Sequence, residues 1–227
     1  MLISVGVLGS FSDSVAQGSE KITTSLKCAT RYQEPENLYD FKKRVKEYQD
    51  NGSWDKTNAC VVQEAFKALK KYESMPGKKA IVSDIDDTAL NNRPIIFKQD
   101  FGYVRDIYRD WEILGQSIAI EPVRALCNYA FTHGFAVFFI TGRREDQRTT
   151  TENNLRRAGY LGWTHVYFKP MDFEGSSAAE FKRKWRQEIV DQGYTIVVNI
   201  GDQKSDLEGE PQALSNFKLS NPAYLIP

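Results

Sequence analysis

The chain has 227 residues, 41% hydrophobic and 26% charged, which are ordinary values for a globular protein with a buried core. Its 30 basic and 30 acidic residues give a formal net charge of zero, which favours neither a nucleic-acid partner nor a membrane surface. No apolar run approaches the roughly 18 residues that a membrane-spanning helix needs.

The N-terminus resembles an export signal in part. Residues 2–8 are apolar, and residues 14–16 (Ser-Val-Ala) have the small side chains that a signal peptidase prefers. The first basic residue is Lys21, so the usual positive start is missing, and a cytoplasmic terminus is the alternative. We expect a signal peptide at residues 1–17, a single domain at residues 18–227, and a secreted or periplasmic protein.

The three cysteines leave two interpretations open. Cys28 and Cys60 could form a disulfide in an oxidising compartment, with Cys127 as a buried thiol. Three free, buried thiols are equally compatible with the sequence, because cysteine is commonly buried.

Two helices are predicted before the first strand. Apolar residues recur at helical spacing over residues 37–49, and residues 51–53 (Asn-Gly-Ser) end that helix. A second apolar face covers residues 59–72 and ends before Pro76 and Gly77. Neither helix carries evident chemistry, so we expect both to pack on a sheet or over its edge.

Short apolar runs bounded by polar residues predict buried parallel strands at 80–82, 135–140, 166–168 and 195–200, and an edge strand at 217–219. Helical patterns separate them, at 121–134, 145–158 and 179–190. Strands that alternate with helices imply an α/β fold, in which helices flank a parallel sheet and the crossovers are right-handed.

Residues 89–120 form a connection too long for a simple turn. Within it, residues 103–114 have a helical and aromatic pattern. A small insertion at about 91–120 could act as a lid or cap beside a site, and core packing is the alternative.

Three carboxylates follow the first strand, at Asp84, Asp86 and Asp87. Crowded carboxylates repel one another, but a divalent cation and a phosphate group would account for them. Asp84 could attack a phosphorus atom as a nucleophile. Asp86, two residues on and facing the same way, could protonate the leaving oxygen and then deprotonate water. Asp87 is interpreted as a solvated or hydrogen-bonding neighbour.

The later strand ends supply groups for phosphate binding. Thr141 and Gly142 follow the second strand, where the threonine could bind a phosphoryl oxygen. Lys182 could hold the phosphate and offset the carboxylates. Arg143 and Arg144 could contact the substrate, but a solvated helix start is the preferred interpretation. Residues 182–186 are interpreted as a solvated face apart from Lys182.

Mg²⁺ is the expected metal, because it prefers oxygen ligands and neutralises phosphate. Its predicted ligands are Asp84, Asp202 and the backbone carbonyl of Asp86. Asp206 would lie outside the ligands and order Lys182 or a metal-bound water.

These segments, in this order, resemble the four motifs of the haloacid dehalogenase (HAD) superfamily of phosphatases: residues 84–88, residues 140–143, Lys182 and residues 201–206. More narrowly, residues 37–227 are similar to the secreted acid phosphatase branch, which includes plant acid phosphatases, vegetative storage proteins and bacterial class B and class C acid phosphatases. Flanking residues favour Lys182 over Lys169 as the third motif.

The resemblance implies a Mg²⁺-dependent phosphomonoesterase with a Rossmann-like fold and a small helical cap, Asp84 as nucleophile and Asp86 as acid and base. Nucleotides and sugar phosphates are candidate substrates, and the oligomeric state is left open. Two other hypotheses remain at this point: a phosphate-switch module like a response-regulator receiver, and a non-catalytic storage or surface protein.

Overall fold

The computed structural model describes residues 34–173 and 177–226. The expected signal peptide at 1–17 and Cys28 lie outside these ranges, so neither the signal nor the disulfide is tested. The chain divides into two units, residues 1–41 and residues 42–227. The first unit is described only from residue 34, where it contains the start of the first helix. The fold described below is that of the second unit.

A five-stranded sheet forms the centre of this unit, and all its neighbouring strands pair in parallel. The strand order is β5-β4-β1-β6-β7. This arrangement confirms the predicted α/β fold with a Rossmann-like parallel sheet. The strands are β1 (Lys78–Ser83), β4 (Ala136–Arg144), β5 (His165–Lys169), β6 (Tyr194–Gly201) and β7 (Ser215–Lys218), with β2 (Leu90–Asn91) and β3 (Ile118–Ala119) apart from the sheet.

Helices separate the strands along the chain. Within the described ranges, no helix has both the length and the apolar character needed to cross a bilayer. The α-helices are α1 (Leu38–Asp50), α2 (Ser53–Lys71), α3 (Arg93–Lys98), α4 (Arg105–Leu114), α5 (Glu121–Thr132), α6 (Arg148–Arg157) and α7 (Ala178–Asp191), with short 3₁₀ turns at Glu145–Gln147 and Lys204–Asp206.

Both faces of the sheet are covered by core residues, which explains why β1, β4, β5 and β6 contain continuous apolar runs. Successive side chains of a strand point to opposite faces. Ile81 of β1 belongs to a core with residues of α2, α5 and α6, such as Leu69 and Leu126. Its neighbour Val82 belongs to a second core with Phe181 of α7.

A small insertion interrupts the chain between β1 and α5. Strands β2 and β3 pair antiparallel at its base, and α3 and α4 lie between them in sequence. The predicted helix at 103–114 is α4, but none of its residues is buried, so the core-packing interpretation was wrong. Strands of two residues have no readable periodicity, and the sequence did not predict β2 or β3.

Strand β4 is longer than predicted and ends at Arg144 rather than at residue 140. Its pairing with β5 is irregular between Ile140 and Arg144. Thr141 and Arg143 therefore belong to the strand and are buried. The prediction of a solvated helix start was wrong for Arg143, which is only 2% exposed.

Arg186 on α7 is also buried, so the predicted solvated face at 182–186 has a second exception. Its guanidinium donates hydrogen bonds to the backbone carbonyls of Asp206 (2.8 Å), Gly209 (2.9 Å) and Pro211 (2.9 Å), and to that of Glu208. One side chain thus holds the loop that follows β6 against α7.

Replacing Arg186 with methionine should remove these hydrogen bonds and leave buried carbonyl groups without donors. We expect Arg186→Met to lower the free energy of unfolding by about 3 kcal/mol. Urea unfolding followed by circular dichroism measures this change. Lys184→Met, an exposed position on the same helix, is the control and should change the free energy of unfolding little; equal values for the two variants would contradict the prediction.

Candidate active site

The candidate site lies at the carboxyl ends of β1, β4 and β6. The chain runs outward from β1 through β4 to β5, then crosses to β6 on the other side of β1. Ligands of open α/β sheets bind where the strand order reverses in this way. Asp84 and Asp202 directly follow β1 and β6, and Thr141 lies near the end of β4. Lys182 reaches the same place from α7. The strand-end groups therefore converge as the sequence predicted.

Three buried carboxylates form the centre of the site. One oxygen from each of Asp84, Asp202 and Asp206 lies within 4.8 Å of the other two. The ammonium of Lys182 lies 3.0 Å from Asp206 Oδ1 and also donates to Asp84 Oδ1 and to the carbonyl of Ile140. With all three carboxylates ionised, the Lys182 ammonium would offset one of the three negative charges. A divalent cation with oxygen ligands fits that charge and that donor set.

Burial in this cluster disfavours charged carboxylates. It raises the pKa of Asp84 well above its usual value; Lys182 opposes this change, and Asp206 and Asp202 add to it. Burial, with the charges of Asp206 and Asp87, raises the pKa of Asp202 to about 7. Burial alone would lower the pKa of Lys182, but the charges of Asp206 and Asp84 outweigh it and the pKa is raised. The cluster therefore holds its lysine as an ammonium ion and favours the binding of further positive charge.

Asp202 is oriented by three neutral donors. Thr88 donates to its Oδ1 at 3.0 Å, and Gln203 and Asn221 donate to its Oδ2 at 2.6 Å each. Asn221 has no predicted role, because it lies 19 residues from Asp202 and no local sequence pattern connects the two.

Gly201 permits Asp206 to approach the end of β6. A Cβ atom at Gly201 would lie 2.3 Å from Asp206 Oδ2 and 2.4 Å from its Cβ. The same Oδ2 accepts a hydrogen bond from the backbone N–H of Gln203 at 2.9 Å. A larger residue at 201 would therefore displace Asp206 from the carboxylate cluster.

Asp86 contacts a different cation from Asp84. Arg143 donates to it from Nε, 3.1 Å from each carboxylate oxygen, and from Nη2 at 2.7 Å. Asn92 donates to its Oδ1 at 2.7 Å, and Thr141 lies 3.5 Å from its Oδ2. Burial alone would raise the pKa of Asp86, but the Arg143 charge and the hydrogen bonds from Arg143 and Asn92 outweigh it and lower the pKa.

Arg143 has a second carboxylate near it, supplied by the insertion. Its Nε lies 3.9 Å from Glu112 Oε1, and Glu112 Oε2 accepts a hydrogen bond from Gln147 at 2.6 Å. Burial and the Asp86 charge raise the pKa of Glu112 to about 7, although Arg143 opposes them. Glu112 was not predicted as a site residue, because an acidic residue on a helix with charged neighbours is usually solvated.

Asp87 is a buried hydrogen-bonding neighbour rather than a member of the carboxylate cluster. It accepts hydrogen bonds from the Tyr224 hydroxyl at 2.7 Å and from the Asn92 N–H at 2.9 Å. Burial raises its pKa to about 7. Of the two interpretations in the sequence analysis, the hydrogen-bonding one agrees with this geometry and the solvated one does not.

Two further candidates differ in their surroundings. Gly142 is exposed, and a Cβ atom there would meet nothing within 4 Å. Lys169, the competing lysine, lies over the ring of Phe173 at 5.1 Å, whereas Lys182 contacts Asp84. The geometry thus agrees with the preference for Lys182.

The crowding at Gly201 leads to a stability prediction. Gly201→Ala should force Asp206 and the following turn to move, at a cost of about 1 to 3 kcal/mol in the free energy of unfolding. Gly142→Ala is the matched control and should leave that free energy nearly unchanged. Chemical denaturation of both variants tests the pair; a Gly201→Ala protein as stable as the control would contradict the close approach.

Comparison with known proteins identifies relatives along almost the whole chain. Residues 13–227 match the family model described as HAD superfamily, subfamily IIIB (acid phosphatase). The chain is 33% identical over 218 residues to the stem 28 kDa glycoprotein of Glycine max, covering 90% of this chain and 85% of that protein. It is 32% identical over 198 residues to acid phosphatase 1 of Solanum lycopersicum, covering 85% and 76% of the two chains.

A solved structure has the same fold. The class C acid phosphatase from Bacillus anthracis with tungstate bound superposes with a TM-score of 0.68. The superposition covers 82% of this chain and 86% of that one, at 22% sequence identity.

Proposed function

This chain belongs to the acid phosphatases of HAD superfamily subfamily IIIB, and from that premise we propose that it hydrolyses small phosphomonoesters with Asp84 as nucleophile and Asp86 as acid and base. The observation that carries the proposal is the position of Asp84. Its carboxylate lies at the strand crossover, against the buried ammonium of Lys182 and the carboxylates of Asp202 and Asp206.

The proposed reaction has two steps. The Asp84 carboxylate attacks the phosphorus atom, the bond to the ester oxygen breaks, and Asp86 gives its proton to the departing alkoxide. Water then attacks the phosphorus atom of the aspartyl-phosphate and loses a proton to Asp86. Inorganic phosphate leaves, and Asp84 is restored as a carboxylate with Asp86 again protonated.

Mg²⁺ is the proposed cofactor, and the buried oxygen ligands of the site suit it. Asp84, Asp202 and the backbone carbonyl of Asp86 would hold it, and Asp206 would order Lys182 beside it. When bound, Mg²⁺ supplies positive charge against the phosphoryl oxygens.

Phosphate binding is assigned to Thr141, Gly142 and Lys182. Exposed Gly142 leaves the backbone at the end of β4 open to a ligand, and Lys182 lies against the nucleophile. The class C acid phosphatase of the same fold was solved with tungstate bound, and tungstate is a tetrahedral oxyanion like phosphate, which supports the proposal of an oxyanion site.

We also propose a substrate class and a cellular location for the protein. The insertion at about 91–120 is proposed as the cap, with nucleotides or sugar phosphates as substrates. Export with a signal peptide at 1–17 is also proposed. The soybean relative is named a glycoprotein, and asparagine-linked glycosylation is typical of secreted proteins.

We expect the protein to release p-nitrophenolate from p-nitrophenyl phosphate in the presence of Mg²⁺ and to lose this activity in EDTA. Asp84→Asn removes the nucleophile and should abolish turnover, while Asp86→Asn should lower kcat by about 100-fold or more. Absorbance of the released p-nitrophenolate measures both changes.

Asp191→Asn, an exposed position at the end of α7 and next to the amino end of β6, is the control and should keep wild-type kcat. A folded wild type without turnover at any pH from about 4 to about 8 would overturn the phosphatase proposal in favour of a storage protein.

A further inference from the structure

The insertion contacts the site through Asn92, a residue with no catalytic role in the proposed reaction. Asn92 is fully buried immediately before α3, and its carbonyl accepts hydrogen bonds from the N–H groups of Ile95 and Ile96. The start of the helix therefore fixes the backbone of Asn92. The orientation of the side-chain amide has to be fixed by other contacts.

Two donors from the insertion determine which way that amide faces. The indole Nε1 of Trp111, on α4, donates to Asn92 Oδ1 at 2.9 Å. The hydroxyl of Ser117, just before β3, donates to the same oxygen at 2.8 Å. An indole N–H can only donate, so the atom that faces it must be the amide oxygen.

The amide NH₂ group is consequently turned towards Asp86. Asn92 Nδ2 donates to Asp86 Oδ1 at 2.7 Å, on the oxygen that also accepts Arg143 Nη2. A reversed amide would place its oxygen against the carboxylate and repel it. Both donors that prevent the reversal come from the insertion, 19 and 25 residues after Asn92.

We propose that Trp111 and Ser117 are positioning residues that orient the proton donor Asp86 through Asn92. The inference rests on the proposed function, because it takes Asp86 as the group that protonates the leaving oxygen. It makes the insertion a determinant of which esters are hydrolysed. Esters with a strongly basic leaving group, such as sugar or glycerol phosphates, need a well-placed proton donor, whereas p-nitrophenolate departs without one.

The test compares two substrates that differ in this need. We expect Trp111→Phe, which keeps the ring and removes the donor, to lower kcat/KM for glycerol 2-phosphate by about 10-fold. The same variant should lower kcat/KM for p-nitrophenyl phosphate by less than about 2-fold, because kcat/KM reports the departure of the leaving group and not the later attack of water on the aspartyl-phosphate. Trp163→Phe, an equivalent change where the indole packs on Phe139, is the matched control and should affect neither substrate.

A second experiment tests whether the effect of Trp111→Phe on hydrolysis depends on Asp86. In the Asp86→Asn background, Trp111→Phe should cause no further loss of the residual kcat/KM for glycerol 2-phosphate, because residues that act through one group are not additive. Ser117→Ala, which removes the other donor to Asn92 and leaves the indole unchanged, should give the same two results. This variant replaces Trp111→Phe in both experiments if Trp111→Phe does not fold.

Equal losses on the two substrates, or a loss that persists without Asp86, would overturn the inference and leave the phosphatase function intact. A folded wild type that hydrolyses neither substrate would overturn the proposed function, and the inference with it.

Discussion

The organising constraint of this structure is the burial of three carboxylates around a single ammonium ion. Buried charge is expensive unless it is paired, and Lys182 pairs with only two of the three carboxylates. Hydrogen bonds from Gln203 and Asn221 to Asp202 lower the free-energy cost of burying these charges. Gly201 has no side chain and therefore leaves space for Asp206. The remaining negative charge is the property that makes the site suitable for a divalent cation and, with it, a phosphate ester.

A second charge centre stands beside the first and is separate from it. Asp84 contacts Lys182, whereas Asp86 contacts Arg143, although the two aspartates are only two residues apart. The two positive groups come from different elements, α7 and β4. This division gives the neighbouring carboxylates different surroundings: the pKa of Asp84 is raised and that of Asp86 is lowered. These directions are the reverse of what a nucleophile and a proton donor need, so the proposed roles require that a bound cation and phosphate change the charge around both groups.

Patterns confined to short stretches of sequence predicted most of the fold and the main residues of the candidate site. Apolar runs indicated the strands, and their polar ends indicated where Asp84, Thr141 and Asp202 would meet. Arg143 and Arg186 were misjudged, because charged runs are usually solvated and the groups that bury these two side chains are distant. Arg143 binds a carboxylate 57 residues away, and Arg186 binds carbonyls 20 to 25 residues away.

The antiparallel pair β2 and β3 brings the two ends of the insertion together. The carbonyl of Ala89 accepts hydrogen bonds from the Ile120 N–H and the Tyr160 hydroxyl, so the chain leaves and re-enters the main fold at one point. A segment anchored in this way is modular: its length and surface can diverge in evolution while β1 and α5 keep their positions. Because the β2–β3 pair holds both ends of the insertion, the insertion of a relative could be grafted at this point, provided that the graft keeps a hydrogen-bond donor for Asn92.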